Sequence, residues 1–268
     1  MVIDFHTHIF PEKIAPKTIE TLENRAHIKA ACAGTLESLK ESMKTNGVDY
    51  SVVLPVVTKP SQFDSINAYS QSINNQDGII AFGGIHPANE DIKGKLTYIK
   101  ELGLKGIKIH PDYQDAYIDD ERYIEILKTC IELDLCCVIH AGLDIGIPTP
   151  IHCPPDRAYI MLQEVLKDCN KDSKIVLAHI GGHLQWELVE ELLVGQNVYF
   201  DLAYSLPMIQ REQLIRIIED HGSDRILYAT DSPWSGPRTS IEYVNALPIE
   251  QEDKDNILYK NALRILDM

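Results

Sequence analysis

The sequence predicts a (β/α)8 barrel of the TIM type, formed as one domain over residues 1–268. Three observations point there. Eight short apolar runs recur along the chain, beginning near Val2, Tyr50, Gly78, Leu104, Leu135, Lys174, Asn197 and Arg225. Segments with helical spacing alternate with them, which is the order of strands and helices in such a barrel. Several runs also end in a histidine or an aspartate, and only a fold that gathers strand ends around one mouth brings these together. A doubly wound open sheet is the runner-up, but no Gly-x-Gly-x-x-Gly follows the first run.

The runs are rich in Val and Ile and do not alternate strictly, as expected of strands covered on both faces. The helical segments are Thr35–Asn46, Asp64–Asn75, Asn89–Leu102, Asp120–Leu133, Asp156–Cys169, His183–Val194, Ile209–Asp220 and Glu250–Leu266. Thr35, Asp64, Asn89 and Asp156 stand where N-caps belong, and Gly47, Gly103, Gly195 and Gly222 where helices stop. The longest strand-to-helix connections are Ile9–Gly34 and Ala141–Pro155. Both lie over the mouth of a barrel, and the Pro and Gly of 142–155 suggest a shaped pocket wall.

With 44% hydrophobic residues in 268, the chain can bury a large core. Twenty-five basic residues face 40 acidic ones, a net charge of -15. Such a surface repels nucleic acid and anionic membranes, so attraction for an anionic small-molecule substrate must be local. None of the six cysteines forms a C-x-x-C pair, and small buried hydrophobes in a reducing compartment are the expectation. Cys136 and Cys137 must point to opposite faces of their strand. Cys153 is the one to watch, because it lies in the Pro-rich loop. Met1 leads straight into the first run with no signal peptide, and no apolar run nears membrane length, so a soluble, cytoplasmic protein is expected. A homodimer is a prior only.

His6 and His8 are two residues apart on the first strand and share a face at its C-terminal end. In a barrel that face points inward, toward the mouth. His140 ends the fifth run, His179 the sixth and Asp231 the eighth. Imidazole and carboxylate are ligands for a divalent transition metal. His6, His8, His140 and Asp231 together leave one position open for water, as a catalytic site needs. Each histidine alone reads as an ordinary hydrogen-bonded side chain. The argument rests on their coincidence at four strand ends.

These residues stand in motifs: His6-Thr-His8, Gly106-Ile-Lys-Ile-His-Pro111, Ile139-His-Ala-Gly142, Ala178-His-Ile-Gly-Gly182, Thr230-Asp-Ser-Pro-Trp234 and Asn261-Ala-Leu-Arg-Ile-Leu266. The ordered set resembles the amidohydrolase superfamily, from first strand to last helix. More narrowly it resembles the branch containing aminocarboxymuconate semialdehyde decarboxylase. The resemblance implies a barrel with one metal ion, usually zinc, held by His6, His8, His140 and Asp231. It implies that His179 orients or deprotonates water beside the metal, and that Asp231 also shuttles a proton. Lys-Ile-His-Pro at 108–111 resembles the mononuclear members, not those with a bridging carboxylated lysine.

Other polar residues keep two readings. Lys108 is structural or binds substrate. His110 touches substrate or only ends its strand before Pro111, and His86 before Pro87 mirrors it through turn chemistry. His152 and His183 read as wall residues, Trp186 as packing, and His221 as a helix-end residue facing away. Trp234 follows Asp231 on the eighth loop and is a candidate substrate contact. Arg238, on the same loop, pairs with a substrate carboxylate or with a surface acid. Asp201 supports a ligand histidine or caps a turn. The leading expectation is a metal-dependent hydrolase acting on an amide, lactone or ester carbonyl. The alternative is a metal-dependent non-oxidative decarboxylase of an unsaturated or aromatic acid, which needs a cation for the substrate carboxylate. Metal storage fits poorly with an open coordination position.

Overall fold

The computed structural model describes residues 1–147, 150–167, 169 and 173–268. Strands form at all eight predicted runs: β1 (Ile3–Thr7), β2 (Tyr50–Val53), β3 (Ile79–Ala81), β4 (Gly83–Gly84), β5 (Gly106–Ile109), β6 (Cys136–Ile139), β7 (Ile175–Leu177), β8 (Tyr199–Asp201) and β9 (Ile226–Leu227). β3 and β4 are two halves of the third run. β3 pairs with β2, and β4 pairs with β5. Between them the Phe82 N–H still donates to the Val53 carbonyl at 2.9 Å. The interruption is a change of partner, as stagger in a tilted ring requires.

All ladders are parallel. The last strand returns to the first. Phe5 N–H donates to Tyr228 O at 2.9 Å, Asp231 N–H to His6 O at 2.9 Å and His8 N–H to Ser232 O at 2.6 Å, with a parallel bridge between Thr7 and Ser232. Asp4 reinforces this seam, accepting from the Thr230 N–H at 2.9 Å and the Thr230 hydroxyl at 2.6 Å. Burial pushes the Asp4 carboxyl up to about 7, against those two hydrogen bonds.

Helices α1 (Ala15–Ala26), α2 (Leu36–Asn46), α3 (Phe63–Ile73), α4 (Ile92–Glu101) and α5 (Pro111–Gln114) lie in the first half. Then come α6 (Glu121–Leu133), α7 (Pro155–Leu166), α8 (Trp186–Leu192), α9 (Arg211–His221), α10 (Pro237–Asn245), α11 (Gln251–Asp255) and α12 (Asn261–Leu266), with a π-helical turn over Asn256–Lys260. Three were not expected: α1, α5 and α10. Thr35 caps α2 with a capping box, as predicted. The other cap expectations change: α3 starts at Phe63, ahead of Asp64, Asp91 rather than Asn89 caps α4, and α7 opens on prolines before Asp156. Pro148, Thr149 and Asp168, within the predicted loop and helix, lie outside the described residues.

Strand alternation sorts the apolar side chains into two cores. Ile3, Phe5, Val52, Leu54, Phe82, Cys136 and Val138 fill the ring, and Ala262, Ile265 and Leu266 of α12 pack against them. Ile79, Ile107, Ile109, Cys137 and Ile139 face the helices. Cys136 and Cys137 thus point to opposite sides, as expected. Phe5 and Phe82 meet edge to face at 6.0 Å inside the ring, a favoured aromatic geometry. Asn261 fastens α12 by donating to Ser223 O at 2.8 Å and Ile226 O at 2.7 Å.

Candidate active site

The strand ends open into a cavity of about 590 Å³. His6, His8, Lys108, His110, His140, His179 and Asp231 line it, as do Trp234 and His183. Arg238 does not. It lies on α10, outside the cavity, with its Nε 3.4 Å from Asn46 Oδ1. The substrate role expected of Arg238 is therefore corrected: α10 carries the residues after Trp234 away from the mouth.

His6, His8 and Asp231 converge. His6 Nε2 is 3.1 Å from His8 Nε2, and Asp231 Oδ1 is 3.5 Å and 3.2 Å from them. The partners behind each ring assign its tautomer. His6 Nδ1 donates to Asp201 Oδ2 at 2.8 Å, and His8 Nδ1 donates to Leu54 O at 2.6 Å. Both Nε2 atoms are then lone-pair acceptors facing each other beside a carboxylate oxygen. Such a cluster is stable only with a cation or a proton between its members. The donor set therefore fits a divalent metal ion. Asp201, at the end of β8, supports a ring as one of its two sequence readings held, and it also accepts from the His179 N–H at 2.9 Å.

His140 does not join this trio; it groups with His110 and Asp144. Its ring stacks on His110 at 4.0 Å, and its Nδ1 lies 3.0 Å from His179 Nε2. His179 Nδ1 donates to Ala203 O at 2.8 Å, so His179 Nε2 accepts and His140 Nδ1 donates. His140 Nε2 is then a buried lone pair with no hydrogen-bond partner. Burial holds His140 well below the ordinary imidazole value, and holds His179 at about 4.

Lys108 is 1% exposed and places Nζ 3.2 Å from His6 Nε2. Burial lowers its ammonium to about 8, while Asp201 and Asp231 hold it up. Burial pushes the Asp231 carboxyl up, but the adjoining His8, His6 and His179 rings outweigh it, leaving it below the usual carboxylate range. His110 contacts the cavity with Nε2 3.2 Å from Asp144 Oδ2. His183 is a wall residue as expected, whereas His152 lies behind the site, with Nδ1 3.1 Å from Asp112. His86 accepts from the Ala88 N–H at 3.0 Å, the turn role foreseen for it. Cys153 is fully buried in the outer core, and burial raises its thiol well above the ordinary value.

Two site residues have strained backbones. His179 has φ 60° and Asp231 φ 67°, left-handed values costing about 1–3 kcal/mol for such residues. The His179 backbone is pinned on both sides: its N–H by Asp201, and its carbonyl by the Trp186 indole at 3.1 Å. Trp186 is thus packing, as predicted, with a positioning hydrogen bond. Asp231 is pinned through His6 O and Trp234 N–H, both at 2.9 Å. Gly142 is required where its loop meets the 183 loop, since a Cβ there would fall 2.0 Å from His183 N.

Asp144, Tyr113, Arg25 and α1 itself were missed. Asp144 and Tyr113 carry no local pattern. α1 did leave a signal: Ala15, Ile19, Leu22 and Ala26 recur at helical spacing, with Pro16 in the first turn. Its Ile14, Thr18, Leu22 and Arg25 side form one cavity wall.

Fold and site define a class: a (β/α)8-barrel enzyme with a cluster of histidines and an aspartate, of the types that could hold a metal ion, at the C-terminal mouth of its strands. The chain belongs to the amidohydrolase family, whose model matches residues 3–268. Among solved structures it is similar to 2,6-dihydroxybenzoate decarboxylase complexed with 2,6-dihydroxybenzoate, at TM-score 0.73 and 15% identity over 100% of this chain and 99% of that one. It is similar to 5-carboxyvanillate decarboxylase from Sphingomonas paucimobilis, at TM-score 0.65 and 16% identity over 100% and 99%. A third is dihydroxybenzoic acid decarboxylase from Polaromonas sp. with bound manganese and the inhibitor 2-nitroresorcinol, at TM-score 0.68 and 14% identity over 99% and 96%. At these identities the likeness establishes the shared fold. No curated protein compared with the chain matches it. Among the described residues, no helix is long and apolar enough to cross a membrane.

Proposed function

We propose that this protein is a metal-dependent, non-oxidative decarboxylase of a small aromatic or unsaturated carboxylic acid. One observation carries the reading. The cavity sets a floor of imidazole, carboxylate and ammonium beneath walls of Ile9, Phe10, Ile14, Leu22, Ile66 and Ile145. Those walls suit a flat apolar ring and strip water from a carboxylate, whose charge is lost when it leaves as carbon dioxide. The similar solved structures include decarboxylases of hydroxylated benzoic acids. They favour this chemistry over the carbonyl hydrolase that the superfamily resemblance put first.

The proposed ligands are His6, His8 and Asp231; His140, the fourth ligand that the resemblance implies, stands beside them with Nδ1 3.0 Å from His179 Nε2. Zinc suits this nitrogen-rich set, and the Polaromonas structure holds manganese. A bound ion there would supply positive charge for the substrate carboxylate. Lys108 adds a second positive charge at the same floor. The reaction adds a proton to the ring carbon that bears the carboxylate. The carbon–carbon bond then breaks, its electron pair returns to the ring, and carbon dioxide departs. Asp231 is the proposed proton relay: its ionised carboxylate takes a proton from solvent water that His179 Nε2 orients and passes it to that ring carbon.

The test is to load purified protein with zinc or manganese and offer hydroxylated benzoates beside lactones and amides, following carbon dioxide release. Release from an aromatic acid is expected. Lactone or amide cleavage with no gas from any acid would overturn the proposal in favour of the hydrolase.

A further inference from the structure

Two helices outside the strand ring also line the cavity. α1 contributes Ile14, Thr18 and Leu22, at i, i+4 and i+8, and α3 contributes Gln62, Ile66 and Tyr69, at i, i+4 and i+7. Each set is one helical stripe. Neither is the stripe that anchors its helix. Ala15 and Ile19 anchor α1, and Phe63, Asn67, Ser70 and Ile73 anchor α3, all of them buried. The cavity stripes are surplus to that packing. Ile14 is 49% exposed and Ile145 38%, while Leu22 and Ile66 are half-buried. A lone exposed apolar side chain needs no explanation, but four lining one hollow form an apolar surface that folding leaves uncovered.

The helix side of the cavity asks for little polarity in a ligand. Apart from Arg25, the residues that α1 and α3 give to it are uncharged. Gln62 Oε1 accepts from the Thr58 N–H at 2.8 Å, the Thr58 hydroxyl at 3.1 Å and the Lys59 N–H at 3.0 Å, which fixes the start of α3. The Ser65 hydroxyl donates to the Gln62 carbonyl at 3.2 Å. Arg25 is exposed and runs beside Gly146, where a Cβ would lie 3.6 Å from Arg25 Cδ. The close-set ionisable cluster of His6, His8, Lys108 and Asp231 lies instead at the strand ends. At about 590 Å³ the cavity falls in the range that buries drug-sized ligands, about 300–1,000 Å³, and exceeds one benzoate ring.

We infer that the substrate is an aromatic acid with an apolar extension, an alkyl chain or a fused ring on the side away from the carboxylate, and that this extension lies against Leu22 of α1 and Ile66 of α3. The inference rests on the proposed reading that the histidine floor holds a carboxylate. The floor then fixes the acid end, and the two helix stripes discriminate by burial, at up to about fourfold in affinity per buried methylene.

The test is binding. Benzoate, 4-ethylbenzoate and 4-butylbenzoate, with the matching benzamides, are titrated calorimetrically into metal-loaded protein. Affinity in both series is expected to rise about threefold per added carbon. The readout is the ratio of butyl to parent affinity, which cancels any change at the floor. Thr18→Trp, which fills the stripe between Ile14 and Leu22, is expected to cut that ratio to within about threefold, and Leu22→Ser to lower it about tenfold. Both substitutions leave the anchoring Ala15 and Ile19 in place. Butyl compounds that gain nothing over their parents, or a ratio that survives in both variants, overturn the extension. Benzamides that bind as tightly as the benzoates, with the ratio intact, count only against the proposed acid reading.

Discussion

Asp201 holds His6 from behind at 2.8 Å through Nδ1, and both side chains are buried. That contact turns the His6 lone pair on Nε2 into the site. Asp201 also holds the His179 backbone, so one carboxylate sets two elements of the floor. Asp201→Asn is expected to weaken metal binding about 10- to 100-fold, the range for losing such a supporting carboxylate. Competition with a chromophoric chelator measures it, and unchanged affinity would count against the role.

His8 and Asp231 meet at 3.2 Å. His8→Ala and Asp231→Asn should each leave purified protein with far less than stoichiometric metal by elemental analysis. Full occupancy in either would remove that residue from the ligand set.

Arg238 serves as a negative control. Its distance from the cavity predicts that Arg238→Ala changes metal content and substrate affinity by less than about twofold, as surface substitutions do. A larger loss in substrate affinity would restore the role that the sequence suggested for it.

Phe82 fills the ring against Phe5 and is fully buried. Phe82→Ala is expected to destabilise the fold by about 3–5 kcal/mol in urea unfolding, from lost burial and the cavity left behind. A cost below 1 kcal/mol would show that the inner core collapses around the gap.

His221 gives the fold acid sensitivity. Its Nδ1 accepts from the Gly195 N–H at 3.0 Å and its Nε2 donates to Val198 O at 2.9 Å, which fits the neutral ring. Burial lowers it to about 4. Between pH 6.5 and 4 the unfolded chain binds a proton that the folded protein refuses. Its contribution is therefore complete above pH 6.5 and falls as pH drops through that window, by up to about 3 kcal/mol. His221→Gln should flatten this slope in unfolding experiments, and an unchanged slope would assign the sensitivity elsewhere.

Much of the fold was legible because strand and helix periods are local. All eight runs became strands, and His6, His8, His140, His179 and Asp231 all reached one cavity. α1 was missed because its apolar stripe is narrow and its polar face dominates the Ile9–Gly34 stretch. Arg238 was misplaced because a loop direction has no period to read. The grouping of His140 with His110 and Asp144 was also beyond sequence, since Asp144 sits in a turn with no pattern.

By itself, the sequence determined which residue types end each strand, and so the chemistry at the mouth. The tertiary structure decided which of them touch. Asp4 meets Thr230 across 226 residues and His6 meets Asp201 across 195. Such contacts depend on ring closure and stagger, which bring distant strand ends together and have no trace in local spacing. Tertiary folding likewise laid α1 over the cavity, because a loop's path is chosen by the surface it packs against.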